Sequence, residues 1–580
     1  MRDRFVPKPD SQVCPPIWSF STEKRGSMKL ITWFVLGYLV QVSTAQAASF
    51  ECLEAQSNVE HLICNNSNLS RLDDELSAIY TKAIDIDENN DQLQGEQVNW
   101  LAHERNICKD IDCLEHTYND RSSILSKYVN SPHTPHSLLV FSTYLGGRGD
   151  DRAARIRVDA AGNSYIGGST DGWNDFPVLN ASQPKRGGRK DGVVAKFSAD
   201  GLLLWATHLG GAKSNFQFAN FEASTEVTGL ALAASDNLYV SGYTDAVDFP
   251  VVNASQATLR GSNSSFLVKF NGDGQIIWST YVNGLYIRDL ATDHDGAVYL
   301  AAYKMRPNKG GITVISKYDS SGKLLWEKEF GGAKYNTDAY SIALDAGDNI
   351  YVGGAAQIDI LPNPGGAPQY AVGQFWNPFL AKFDPNGEVL WSTKIGGEKR
   401  DGISGIDVDR AGNVYVVGNT TSNKFPTLNA AQPHRSGNED AFVAKFSTNG
   451  KLLWSTYLGS TGNDAASAVA VDPKGYVHVT GYTASTNFPT ERSFQRRKAG
   501  LINAFFATYS NDGKLIGSSY LGGSATGYRT DGGVSVATDK DANVYITGST
   551  GSDDFPIKNA YQSSFGGLDD IFVTKIDALK

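Results

Sequence analysis

Cysteine is scarce in this chain of 580 residues and confined to one end: five occur, and none lies beyond Cys113. A disulfide framework or a cysteine-rich metal array through the body of the protein is thereby excluded. Histidine numbers only nine, scattered without a recurring position, so no histidine centre repeats along the chain. Long apolar runs are missing too. The one run of note, Leu30 to Val42, has 13 residues and is too short to span a bilayer. The HExxH, G-x-S-x-G and P-loop patterns are absent, which leaves zinc peptidase, serine hydrolase and nucleotide chemistry without a motif. The expectation is a non-enzymatic protein with no cofactor and no catalytic residues.

What the chain does contain is a repeat. An apolar strand, a Gly-Gly turn, an Asp-opened hairpin and a strand ending in Lys-Phe recur, as in KLLWSTYLGS (Lys451–Ser460), EVLWSTKIGG (Glu388–Gly397) and LLLWATHLGG (Leu202–Gly211). The last apolar residue before the turn is Leu145, Leu209, Val282, Phe330, Ile395, Leu458 and Leu521, at intervals of 64, 73, 48, 65, 63 and 63 residues. A unit of several short strands without helices cannot bury its own faces, so copies must pack on one another as propeller blades. Asp159, Asp293, Asp345, Asp409, Asp472 and Asp539 open the hairpin turns, and Gly162, Gly296, Gly412 and Gly475 follow three residues on. Asp bonds its own turn and Gly accepts positive φ, so the pattern is turn chemistry. A calcium loop would need a distal Glu and flanking helices, which are lacking.

The array opens with a lone fourth strand, Ser137–Leu145, and ends with a third strand, Asp570–Asp577. Pairing these two predicts a closed ring of seven blades without a free sheet edge. Trp205, Trp278, Trp326, Trp391 and Trp454 stand one per blade and read as packing between sheets. They also resemble quinoprotein blades, which makes a quinone-dependent dehydrogenase a remote alternative. The loops carry DFPVLNASQ (Asp175–Gln183), DFPVVNASQ (Asp248–Gln256), KFPTLNAAQ (Lys424–Gln432), NFPTERSFQ (Asn487–Gln495) and DFPIKNAYQ (Asp554–Gln562). With the Leu-Gly-Gly and DAFVAKF segments, residues 137–580 resemble the bacterial SBBP β-propeller repeats. That resemblance implies no shared catalytic activity and a place in secreted or surface proteins. The third copy lacks the loop motif and the fourth carries ILPNPGGAPQ (Ile360–Gln369) instead. Phe-Pro reads as a loop anchor, with Phe in the core and Pro fixing φ.

Residues 1–47 read as a signal peptide region whose true start is Met28, with the Ala45-Gln46-Ala47 site predicting cleavage after Ala47. Cys52, Cys64, Cys108 and Cys113 then imply two disulfides in an exported domain. Three connectivities are possible, and the tight spacing of the last two favours Cys52–Cys64 with Cys108–Cys113. Between them the period turns helical: Leu69, Leu72, Leu76, Ile79, Tyr80 and Ala83, then Leu93, Gln97, Trp100 and Leu101, then Leu114, Tyr118, Arg121, Leu125 and Tyr128. SFECLEAQSNVEHLIC (Ser49–Cys64), LSRLDDELSAIY (Leu69–Tyr80), QVNWLAHERNIC (Gln97–Cys108) and CLEHTYNDRSSIL (Cys113–Leu125) resemble the LprI-like lysozyme-inhibitor domain. The expected fold is therefore an all-β seven-bladed propeller (137–580) behind a linker (131–136) and a small disulfide-linked all-α domain (48–130).

Charge is unevenly spread. Residues 48–130 hold 16 acids against 6 bases, while the propeller region holds 43 against 40. An acidic field of that density attracts basic partners and repels nucleic acid. The expected partner is a basic protein such as a lysozyme, or a component of the cell envelope. The expected setting is the periplasm or surface of a bacterium, with no transmembrane anchor in the mature, monomeric chain. The alternative is a structural or adhesive surface propeller. One further set invites attention: Asp151, Glu226, Asp289, Asp338, Asp401, Asp464 and Asp531 stand between each Gly-Gly turn and the next inner strand. They would crowd one mouth of the central channel and hold a cation or basic peptide, or else each caps its own loop.

Overall fold

The computed structural model describes residues 52, 55, 57–86, 97, 100–130, 138–215, 222–233, 236–261, 264–307, 310–332, 336–357, 361–371, 376–527 and 529–577. The leader and its cleavage point, the 131–136 linker and Leu93 lie outside these residues. No helix among the described residues is long and apolar enough to cross a membrane.

The helical segment comprises α1 (Asn58–Asn65), α2 (Ser67–Ile86), a π-helical turn (Leu101–Arg105) and α3 (Ile111–Asn130). Ser57 and Glu60 form a reciprocal capping box at the start of α1. Asn66 accepts from the Asn68 and Leu69 N–H groups at the start of α2, and Asp110 accepts from Cys113 at the start of α3. The apolar faces of the helices meet in one cluster around Leu72, Leu76, Trp100, Leu114, Tyr118 and Leu125. Trp100 stands edge-on to Tyr118, whose hydroxyl donates to the buried Asp73 at 2.5 Å. Cys52–Cys64 and Cys108–Cys113 are disulfide-bonded. This is the favoured pairing, and it staples a core too small to hold itself with apolar burial alone.

Seven sheets follow, each built on four antiparallel strands, with inner-to-outer strands in chain order in the first six; in blade 4 a short fifth strand, Tyr370–Ala371, adds parallel to the outer edge. Blade 1 spans 151–209, blade 2 225–282, blade 3 286–330, blade 4 337–396, blade 5 401–458 and blade 6 464–521. Blade 7 is composite: three strands come from 532–576, and the fourth, β1 (Leu139–Leu145), comes from the head of the array. β1 pairs antiparallel with Asp570–Ile576, from Leu139 against Ile576 to Leu145 against Ile571. The short third copy makes a tight hairpin, Val298–Arg306 against Gly310–Tyr318. In blade 4, Leu361 joins Phe330 and Phe379 in the core, taking over the place held elsewhere by the loop Phe. The other loop phenylalanines are buried as anchors: Phe249 stacks on Phe266, Phe425 packs on Phe442, Phe488 on Phe505 and Phe555 on Phe572.

Neighbouring blades are latched by a repeated set of four side chains. In blade 5, Asp409 closes its turn through the Ala411 and Asn413 N–H groups and accepts from Tyr415. Lys445 lies over the Tyr415 ring, and Trp454 meets that ring edge-on. The Trp454 indole N–H then donates to Asn511 in the outer hairpin of blade 6, at 2.9 Å. Trp205, Trp278 and Trp391 reach the Gly272, Ser320 and Thr448 carbonyls of the following blades in the same way. The tryptophans are therefore packing residues that carry one polar tip. Phe141 stands in for Trp in blade 7 and Ala233 for Asp in blade 2, and blade 6 departs furthest, with His478, Thr508 and Gly517 in place of Tyr, Lys and Trp. The reason is topological. The outer two strands of blade 7 come from opposite ends of the array, so no hairpin exists there for a Trp to reach.

Truncating one latch should be costly. Trp391 is nearly fully buried, so Trp391→Ala is expected to lower unfolding stability by about 3–5 kcal/mol, measured by denaturant titration. Deleting Leu138–Tyr144 should destabilise the whole ring. A deletion variant with an unchanged melting transition would contradict closure through β1.

Candidate functional site

The seven acids named from the sequence do not share one structural position. Asp151, Asp401 and Asp464 each begin an inner strand, and Asp531 stands just before one. All four are buried, and each accepts from a backbone N–H four to eight residues back in its own Gly-containing turn: Gly147, Gly397, Ser460 and Gly523, at 2.7–2.8 Å. Asp401, Asp464 and Asp531 also accept from a Thr-x-Ser pair at the end of the second strand, such as Thr550 and Ser552. Their carboxylates are committed to tying the turn between blades to the sheet it enters.

Glu226 and Asp338 fall one residue out of phase. Thr225 and Thr337 occupy the capping position, paired with Thr244 and Ala356 as Asp401 is with Thr420. Successive strand residues face opposite ways, so Glu226 points out and pairs with Lys190 at 2.6 Å. Asp338 is forked to Arg288 at 2.8 and 3.2 Å. Asp289 lies further still, past a β-bulge and inside the channel. Among the described residues, no three His, Cys, Asp or Glu side chains converge as a metal site would require.

That bulge is the feature the sequence reading missed. Every inner strand shifts register at the same place, between Ala153 and Arg155, Ile287 and Asp289, Ala339 and Ser341, and their counterparts in the other blades. The residue after the bulge turns to the axis. In the seven blades it is Arg155, Gly229, Asp289, Ser341, Gly405, Ala468 and Ser535. Small residues fill most of these places because seven strands crowd the axis. The two large exceptions are oppositely charged.

A cavity of about 370 Å³ surrounds them, lined also by Arg157 and Asp407. Asp289 accepts from the Leu290 N–H at 3.0 Å and from the Ser341 hydroxyl at 3.1 Å, while Arg155 stands 3.5 Å away and Arg157 4.0 Å. Asp407 accepts from Val471 and Val408 N–H groups. Burial raises Asp407 to about 6, against the pull of those N–H groups and of Arg157. Burial also lowers the Arg157 guanidinium, with Asp289 opposing. Two cations from blade 1 thus face single acids from blades 3 and 5, and the channel is plugged by a balanced polar set.

Above the plug lies a larger cavity of about 1340 Å³, reached from the face that carries the turns between blades and the long loops. Arg155, Ser404 and Ser467 line both spaces. Tyr340, Trp376, Lys399, Arg400, Asn419 and Glu439 surround the upper one. Concavity, aromatic surface and a few polar groups are what a small-molecule site requires.

This architecture defines a closed seven-bladed β-propeller with an open cavity, lined by aromatic and charged residues, at the mouth of its channel. Four stretches, residues 140–177, 390–426, 453–489 and 516–556, match the SBBP beta-propeller repeat, so the chain carries that repeat. The chain is similar to the regulatory protein FlaEY of Caulobacter vibrioides, 24% identical over 315 residues, 49% of this chain and 32% of that protein. It is also similar to the uncharacterized WD repeat-containing protein L264 of Acanthamoeba polyphaga mimivirus, 23% identical over 276 residues, 41% of this chain and 20% of that protein. The matched part thus spans a third or less of either relative. Among solved structures, the Dos1 propeller aligns at 9% identity with a TM-score of 0.38, covering 75% of this chain and 95% of that one.

The closing seam carries a titratable pair. Asp570 of blade 7 and Asp151 of blade 1 flank Gly146, and burial pushes both up to about 7, each raising the other or being raised by adjacent acids. In the corresponding seam of blade 6, Asn503 stands where Asp570 does and donates to Asp531 at 2.9 Å. The folded Asp pair holds protons that the unfolded chain releases near pH 4. Its contribution is therefore favourable at acidic pH and is lost as pH rises from about 4 through 7. Asp570→Asn should flatten this fall and raise the melting temperature at pH 8. An unchanged pH slope, measured by thermal melts from pH 5 to 8, would contradict the assignment.

Proposed function

We propose that this protein is a non-enzymatic binding protein of the bacterial cell envelope, with the helical segment engaging a basic protein and the propeller serving as the interaction scaffold. One observation carries the first half of this reading. Of the six bases in residues 48–130, Arg105 and Arg121 are buried, whereas Glu75, Glu104, Asp110, Asp112 and Asp120 are exposed. With Arg71, Lys82 and Lys109 as the exposed bases, the exposed charge among the described residues of the segment is net acidic, as its composition is. Such a surface speeds encounter with a cationic partner and fixes its orientation. A lysozyme is the candidate partner, because the sequence of this segment resembles LprI-like inhibitors and lysozymes are commonly basic. Export is supported by the signal-peptide pattern together with the two disulfides.

A second reading, a structural or adhesive surface propeller, draws on a different observation. Leu204, Ile277, Leu325 and Leu390 recur as exposed apolar residues on the outer strands, and such a rim suits lateral contact.

The two readings separate in one experiment. The full chain is mixed with lysozymes of several types at low and high salt, and both complex formation and residual cell-wall lysis are measured. The first reading expects a complex that weakens with salt and is weakened further by Glu104→Lys with Asp112→Lys. Neither binding nor inhibition with any type would overturn it and leave the second.

A further inference from the structure

The cations on the channel-mouth face are not treated alike. Arg148 pairs with Asp175, Arg152 with Asp150, Lys190 with Glu226 and Arg288 with Asp338, all at 2.6–2.8 Å. Lys399 and Arg400 are both exposed, and neither forms an ion pair with a described residue. The nearest candidate in sequence, Glu398, spends its carboxylate on the Asn423 and Lys424 N–H groups. Two adjacent cations that form no ion pair with a described residue therefore stand on the wall of this large cavity, in a chain whose formal charge is −10.

Their surroundings narrow the chemistry. Tyr340 and Trp376, both half-buried, add aromatic surface to the same cavity. Glu439 lines the same cavity beside the edge of blade 5, with its carboxylate bonded by the Asn419 amide, and the Ser404 and Ser467 residues line the floor above the plug. A fixed carboxylate among the lining groups disfavours a ligand that is anionic throughout, such as an acidic peptide. It suits a ligand rich in hydroxyl donors that bears isolated carboxylates. Aromatic rings give such a ligand a face to stack on, and a volume of about 1340 Å³ admits several linked rings.

We propose that the channel mouth binds an acidic oligosaccharide, a short chain of uronate sugars, with Lys399 and Arg400 taking a carboxylate, Trp376 and Tyr340 packing on the rings and Glu439 accepting from ring hydroxyls. The inference rests on the reading of the propeller as a binding scaffold and names the class of ligand it holds. The basic-protein partner of the helical segment is independent of it.

The test is calorimetric titration of the full chain with oligomers of galacturonate, glucuronate and mannuronate, with a neutral galactose oligomer and a short poly-glutamate peptide as controls. At least one uronate oligomer should bind, with affinity falling as salt rises. Lys399→Ala with Arg400→Ala, and separately Trp376→Ala, should each weaken it by about tenfold or more at an unchanged melting temperature. Glu439→Gln should weaken the uronate oligomer and strengthen the peptide. The proposal is overturned if no uronate oligomer binds, if the double variant binds it as well as the parent, or if poly-glutamate or the neutral oligomer binds equally well. Failure here with lysozyme binding intact would remove the saccharide and leave the helical segment's role standing. If lysozyme binding fails while a uronate oligomer binds, the scaffold reading survives and the lysozyme assignment falls.

Discussion

The strand pairing between Leu139–Leu145 and Asp570–Ile576 is the constraint on which the rest of the molecule depends. It joins segments more than four hundred residues apart, as in the Ser142–Thr574 hydroxyl contact with a separation of 432. Closing so long a loop costs entropy, though the cost grows only slowly with length. In return no sheet presents an unpaired inner face, and each blade is flanked by two neighbours. The latch residues, the loop phenylalanines and the capping acids all act across or beside blade seams. None of them would be properly seated in an open arc.

Within the ring, repetition and exception have different meanings. What repeats is structural: an Asp that holds its own turn, a Tyr and a Lys stacked behind it, a Trp tip set into the next hairpin, and a Phe beneath the loop. What departs from the repeat gathers on the axis. Arg155, Arg157, Asp289 and Asp407 occupy places that other blades give to Gly, Ala or Ser, and the Lys399–Arg400 dipeptide, which forms no ion pair with a described residue, belongs to a single interblade turn. A side chain copied around the ring is explained by geometry common to all blades. One that occurs once requires a local reason, and charge balance across the channel supplies it for the plug.

The repeat period, the composite blade, the disulfide pairing and the packing role of the tryptophans were all legible in the sequence. Each rests on local spacing or on residue types that have one dominant use. The axis was not legible, because the bulge in every inner strand has no sequence signature of its own. The residues around it, such as Ala-Arg-Ile, Thr-Gly-Leu and Ser-Gly-Ile, share no residue type at the bulge, and one inserted residue reverses which side chains face the channel. Hence Glu226 and Asp338, which the repeat spacing equates with Asp401, stand one place too far along. Asp289, four places on, belongs to the plug. The partner preference of the mouth was equally hidden, since Lys399 and Arg400 look like ordinary turn residues until their neighbours' acids are found to be occupied.

The antiparallel sense of the closing pair also governs how the protein bears load. The chain enters β1 at Leu139 beside Ile576, where it leaves the sheet, and the Asp577 N–H still reaches the Leu138 carbonyl at 2.8 Å. Tension applied between the helical segment and the end of the array would reach these bonds one after another, from Leu139 towards Leu145. Such peeling yields at lower force than shear, in which all the bonds resist together. Tension on blades 2 to 5 alone would have to part seams held by tryptophan latches. The seam before the composite blade has none, so a tethered molecule is built to yield first at its closure, ahead of the latched seams.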